Sequence, residues 1–212
     1  MPDAPLDEAA FEFTRAQLSG TDTARRIEAT SLLLHVPLSD AQRLALGDAL
    51  RPPVPGDPAQ QRARLEELSP ALKGGDVRRG HQVFNSAKAA CLTCHAMAYV
   101  GGKLGPDLSR IGQIRTERDL LEAIVFPSAS FVRSYEPVTV ETKNGGAFFG
   151  ILRGDAPDEI VLAAGPQTES RIARTDLVSM KPGAVSLMPQ GYDALLTVQE
   201  LADVIAFLKA AK

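Results

Sequence analysis

No apolar run in the 212 residues approaches the roughly 18 that a membrane-crossing helix requires. No basic cluster stands out either. The net charge is −3 at neutral pH, so a nucleic-acid partner, which calls for a concentrated basic face, has no footprint here. Cysteine occurs only twice, at Cys91 and Cys94. A disulfide between them would close too short a loop to stabilise much. A tetrahedral zinc site needs a second pair of ligands, and the remaining histidines, His35 and His81, stand alone without cysteines nearby. Tryptophan is absent altogether. The start of the chain also lacks a basic stretch followed by an apolar one, the mark of an export leader.

What is present is the string Cys91-Leu92-Thr93-Cys94-His95, which reads as a c-type haem attachment site. Two thiols at this spacing can add to the two vinyl groups on one edge of a porphyrin. The histidine that follows is then held where its imidazole can ligate the iron. A dithiol redox motif also uses C-x-x-C, but it expects a βαβ setting, and nothing upstream of Cys91 reads as a strand. The missing tryptophan fits an interior filled in part by a macrocycle. Haem c is attached outside the cytoplasm, so a periplasmic or otherwise exported protein is expected. With no leader after Met1, the chain is expected to be a fragment of a longer exported protein.

Along the chain, residues 1–50 read as an α-helical unit, repeat-like in its paired amphipathic helices, with a capping box at Ser39-Asp40-Ala41-Gln42. Pro52, Pro53, Pro55 and Pro58 forbid a continuous helix and mark a linker over 51–75, with a bridging helix from about Pro58 to Leu68. Residues 76–212 read as one further domain. Asp76 caps a helix carrying Val83 and Phe84 towards Cys91, the glycines at 101, 102 and 105 make a flexible loop, and Thr116 to Phe126 is helical. At about 136–180 the period changes to strand alternation, predicting an antiparallel insertion of four to five strands. Thr197-Val198-Gln199-Glu200 is a capping box that opens a terminal helix with Leu201, Val204, Ile205 and Leu208 on its apolar face. The fold class expected is mainly α with this small antiparallel β insertion: a cytochrome c-like haem core preceded by the helical unit.

A second axial ligand has to come from Met97, Met180, Met188, His35 or His81, with lysine a remote option. Met97 is two residues from His95 and reaches the opposite face with difficulty; Met180 ends a strand and is expected to pack. Met188 lies in Ser186-Leu187-Met188-Pro189, an irregular stretch before the terminal helix, and is the preferred candidate, in the sulfur-ligated class that raises haem potential. The metal-ligating pair expected is therefore His95 and Met188.

Taken in order, Gly80-His81-Gln82-Val83-Phe84, Cys91 to His95, Gly105-Pro106-Asp107-Leu108, Ala123-Ile124-Val125-Phe126-Pro127, Gly150-Ile151-Leu152 and Ser186-Leu187-Met188-Pro189 resemble class I c-type cytochromes. They look more closely like the haem-binding domain of planctomycete and verrucomicrobial multidomain proteins, over about Asp76 to Lys212. That resemblance implies that the Pro106 carbonyl accepts from Nδ1–H of His95, a bond that sets ring orientation and ligand basicity. It also makes Arg110 and Arg115 candidates for gripping the haem propionates, with Tyr99 and Tyr192 as further donors.

The function expected is that of a monohaem c-type cytochrome module passing single electrons, as a domain of, or partner to, an exported dehydrogenase. The alternatives are a peroxidase-like haem enzyme and a haem-based redox or gas sensor. No catalytic residues are distinctive.

Overall fold

A computed structural model describes residues 6–18, 38–46, 57–166 and 168–212, together with Arg25, Ala29 and Leu33. Part of the helical unit expected over residues 1–50, His35 included, and Pro52, Pro53 and Pro55 of the expected linker lie outside the described residues. Contacts divide the chain into two compact units, one of residues 1–52 and 131–189, the other of residues 53–130 and 190–212.

In the first unit, α1 (Glu8–Leu18) and α2 (Asp40–Leu46) contribute to a cluster of Phe11, Leu33, Leu38 and Leu46. The capping box at Ser39 forms as expected: the Gln42 N–H donates to Ser39 Oγ (3.2 Å), and Gln42 Oε1 accepts from the Ser39 N–H (2.9 Å).

The same unit holds a five-stranded antiparallel sheet made of β3 (Pro137–Thr142), β4 (Ala147–Asp155), β5 (Glu159–Gly165), β6 (Thr168–Ala173) and β7 (Leu177–Pro182). Its order is β6-β5-β4-β3-β7: four strands meander, and the fifth returns to pair with the first. One face closes over Val140, Ile160, Leu162 and Ile172.

The fold is therefore α+β, and the expected mainly α, cytochrome c-like class with a minor insertion is corrected. The reason lies in strand length. Short strands were expected at Val138–Thr142, Phe148–Leu152, Ile160–Leu162, Arg171–Ala173 and Leu177–Met180 within the small insertion. Pairing continues past register shifts into Gly154 and Asp155 on β4 and into Ala163 and Gly165 on β5, small and polar residues that carry little hydrophobic signal.

In the second unit, α3 (Pro58–Leu68) starts at Asp57, whose carboxylate accepts from the Ala59 N–H (2.9 Å), with Pro58 in the first turn, where no N–H is needed. A 3₁₀ turn, Ser69–Gly74, leads to α4 (Val77–Phe84), capped by Asp76. The two cysteines follow on α5 (Cys91–Cys94), then comes a hairpin of β1 (Ala96–Met97) and β2 (Val100–Gly101). Next come α6 (Ile111–Ile114) and α7 (Glu117–Val125); the last helices are α8 (Tyr192–Leu195) and α9 (Val198–Ala210). Both α7 and α9 open with capping boxes, Thr116 with Asp119 and Thr197 with Glu200.

The unit is built on α4 crossing α9. Leu201, Ala202, Asp203, Val204 and Ile205 are all buried, and Phe84 lies 5.4 Å from the Phe207 ring. Each large apolar side chain buried there contributes about 2 kcal/mol. The approach is close enough that a Cβ on Gly80 would collide with the Asp203 carbonyl, so only glycine fits at that crossing.

A buried carboxylate ties the crossing. Asp203, 2% exposed, accepts from the Asp76 N–H (2.7 Å), the Arg79 guanidinium (2.7 and 2.9 Å) and the Gln199 amide (2.9 Å). The Arg79 bonds, foremost, hold its carboxyl below the ordinary range. Replacing Asp203 with alanine is expected to cost about 3 kcal/mol in urea unfolding near neutral pH, because three donors lose a buried acceptor. A carboxyl depressed on folding stabilises above its unfolded value, near 4, and loses that contribution as pH falls through the folded one. The gap between parent and variant should accordingly narrow on acidification.

Candidate haem site

The segment that delivers the motif is pinned at both ends. After α4, Asn85 caps the helix, and the Ala90 N–H donates to the Ser86 carbonyl (2.8 Å). Ala90 takes a left-handed conformation (φ 50°), which turns the chain into the single turn of α5. Tyr192, buried on α8, donates its hydroxyl to the Ala89 carbonyl (2.9 Å), and desolvation pushes its phenol well above the ordinary value. Tyr192 is thus committed to the backbone beside the motif, which its expected propionate role did not anticipate. On α8, Asp193 pairs with Arg64 of α3 (2.9 Å).

Cys91 and Cys94 are free, half-buried thiols. The Cys91 thiol makes only a long contact to the Ala89 carbonyl (3.7 Å). Burial pushes Cys91 up to about 12 and Cys94 up to about 11. A redox dithiol needs a lowered thiol pKa, so these values oppose that reading. Among the described residues no three of His, Cys, Asp and Glu are grouped as ligands for a metal ion.

His95 follows α5 in extended conformation. Its Nδ1 lies 2.8 Å from the Pro106 carbonyl, the contact expected of Pro106. A carbonyl can only accept, so Nδ1 carries the proton and Nε2 keeps its lone pair. Desolvation, the larger effect, lowers the imidazole pKa against the opposing Pro106 bond. Among the described residues Nε2 has no hydrogen-bond partner.

The loop that presents Pro106 is fastened, contrary to the flexible one expected. Gly102 N–H donates to the Leu92 carbonyl (2.8 Å), Gly105 N–H to the Cys94 carbonyl (2.8 Å) and Leu108 N–H to the Ala96 carbonyl (2.9 Å). The imidazole lies against Gly105, where a Cβ would stand 2.7 Å from Nδ1. Glycine is needed at 105 because the ring occupies the side-chain space.

The fit to a c-type haem rests on this donor set: two free thiols on one helical turn, followed by a desolvated imidazole whose Nε2 has no hydrogen-bond partner among the described residues. Arg110 and Arg115 flank α6, exposed and without an ion pair among the described residues. Tyr99 is fully exposed at a hairpin tip. Met188 is half-buried in an irregular stretch of the first unit, its N–H donating to Ser186 Oγ (3.1 Å). Met97 pairs with Val100 in the hairpin. Met180 sits on edge strand β7, 40% exposed, so the packing expected of it is not found. His81 is an exposed residue of α4 with its ring edge-on to Phe207 at 5.3 Å.

Asp203 is a contributor that sequence reading missed, while Tyr192 was named for a propionate and not for the Ala89 carbonyl. An acid among consecutive apolar residues of α9 is the signal that could have marked Asp203, since a helix buried on most sides must pair any charge it carries. The chain matches no family model and no curated protein.

Proposed function

We propose that Cys91, Cys94 and His95 hold one covalently attached haem c and that the protein passes single electrons between redox partners. The observation that carries the reading is the His95 imidazole, its Nδ1 taken by Pro106 and its Nε2 without a partner beside two unpaired thiols. When bound, the haem supplies a one-electron ferric/ferrous couple. Cys91 and Cys94 would fix one edge of the porphyrin through two thioether bonds. His95 would offer Nε2 to the iron, and the Pro106 carbonyl holds the tautomer and makes the imidazole a stronger donor.

Met188 is proposed as the second axial ligand on its sequence position. Arg110 and Arg115 are proposed for the propionates, since a guanidinium pairs with carboxylate in two parallel bonds. An exported setting and a redox protein or dehydrogenase domain as partner belong to the same proposal. No helix of the described residues is long and apolar enough to cross a membrane.

The test is expression in a host that attaches haem c. The denatured protein is expected to retain its haem through acid–organic extraction, and Cys91→Ala with Cys94→Ala to release it. Haem that extracts from the parent, or none bound, would end the reading. A resting high-spin spectrum with rapid peroxide turnover would replace electron transfer with enzymatic function.

A further inference from the structure

Ala90 holds a left-handed backbone (φ 50°) at the step into the cysteine turn. A Cβ in that region costs energy, and glycine is the residue that adopts it freely. Alanine stays there only where its surroundings hold it. Upstream the hold is local. Ser86 Oγ donates to the Val83 carbonyl (2.7 Å) and accepts from the Ala89 N–H (3.2 Å), and the Ser86 carbonyl accepts from the Ala90 N–H (2.8 Å). Downstream, the Thr93 and His95 N–H groups close the turn on the carbonyls of Ala90 (3.1 Å) and Cys91 (2.9 Å).

The other group at this joint is the Ala89 carbonyl. Ala89 is 1% exposed, so its carbonyl needs a donor from within the protein. Two reach it among the described residues: the Tyr192 hydroxyl at 2.9 Å and the Cys91 thiol at 3.7 Å. The second contact is long, and it is lost if Cys91 becomes a thioether, which has no S–H. Tyr192 then remains as the donor. It is itself secured, since its carbonyl accepts from the Leu196 N–H (2.8 Å) and its neighbour Asp193 pairs with Arg64 (2.9 Å).

The Ala89 carbonyl and the Ala90 N–H belong to one planar peptide unit. Ser86 holds the N–H edge of that plane, and Tyr192 holds the C=O edge. Rotation of this plane is the route by which Ala90 would leave the left-handed region. With both edges bonded, the plane cannot turn.

We infer that Tyr192 is a positioning residue for the cysteine turn. Its hydroxyl locks the Ala89–Ala90 peptide, keeps Ala90 left-handed, and so seats Cys91 and, through the Cys91 carbonyl, the backbone of His95. The bearing of this lock on a haem rests on the proposed function; the lock itself rests on the peptide geometry.

Tyr192→Phe keeps the ring and removes only the hydroxyl. Amide hydrogen exchange in the full chain, followed by NMR, reads the result. Exchange at Thr93 and His95 is expected to quicken about tenfold, the equivalent of one ordinary hydrogen bond. The Phe126 amide, bonded to the Glu122 carbonyl at the end of α7 (2.7 Å), should keep the parent's rate. Adding Ala90→Gly should restore slow exchange, because glycine keeps the left-handed conformation without the hydroxyl. In protein carrying covalent haem, the ferric haem-methyl shifts, which follow the imidazole plane, should move in Tyr192→Phe and return in the double variant. Equal acceleration at Phe126 would reduce Tyr192 to general stability and overturn the inference. Unchanged exchange at Thr93 and His95, unfolded rates there in the parent, or acceleration that Ala90→Gly does not reverse would overturn it as well. Haem-methyl shifts that stay fixed while exchange quickens would overturn its reach to His95. A parent without covalent haem defeats the haem reading alone, since exchange still reads the lock.

Discussion

Replacing Gly105 with alanine is expected to unseat His95. The added methyl would stand 2.4 Å from Cε1 and 2.7 Å from Nδ1, the nitrogen bonded to Pro106. The loop cannot retreat readily, since the Gly105 N–H is bonded to the Cys94 carbonyl (2.8 Å). The ring must move instead, and moving it breaks the Nδ1 bond. Overpacking of this kind costs about 2 kcal/mol of stability. The larger effect falls on ligation, since loss of an outer partner typically weakens a metal–histidine bond by about 10–100-fold. On the proposed reading, haem should remain attached through both cysteines while a low-spin ferric spectrum gives way to a mixed one. A variant with the parent's spectrum and potential would show that the close approach has no bearing on the imidazole.

With Met188 as the proposed sixth ligand, Met188→Ala is expected to open the haem iron to carbon monoxide and to lower the reduction potential. A thioether favours the ferrous state, so its removal shifts the couple downward. Met188 is chosen over Met97 and Met180 by position: Met97 is two residues from His95 and paired in the hairpin, and Met180 is on an exposed sheet edge. Carbon monoxide binding and redox titration read the result directly. Unchanged values in Met188→Ala, with loss of low-spin character in Met97→Ala or Met180→Ala, would move the sixth ligand to that residue.

Local signals in the sequence specified several elements closely. Asp57 and Pro58 announce the start of α3, and the Thr197–Glu200 box announces α9, because a cap and its helix are separated by only a few residues. The single turn at Cys91–Cys94 is equally local. Contacts between distant segments were not legible. Gly105 resembles any loop glycine until His95, ten positions earlier, is seen to fill its side-chain space. Tyr192 gives no sign that its hydroxyl reaches Ala89, 103 residues away. Met180 was misjudged because alternation establishes that a strand has two faces without saying which one is covered, and β7 is an edge. The class was misjudged for the related reason that glycine, alanine and aspartate extend β4 and β5 without contrast in hydropathy.

The second unit is discontinuous, residues 53–130 and 190–212 with 131–189 between them. A ribosome makes the two thiols, the hairpin and then the whole five-stranded sheet before it makes Tyr192 or the terminal helix. During that interval the Gly80 face of α4 has no helix to pack on, and the Ala89 carbonyl has no hydroxyl to accept from. Closing the interior then requires a contact such as Asp76 to Asp203, 127 positions apart, one of high contact order and therefore slow relative to local helix formation. Cys91 and Cys94 consequently spend the early life of the nascent chain outside any finished interior, where a covalent modification can reach them. On the proposed reading, residues 190–212 are the clasp that closes over a haem already attached.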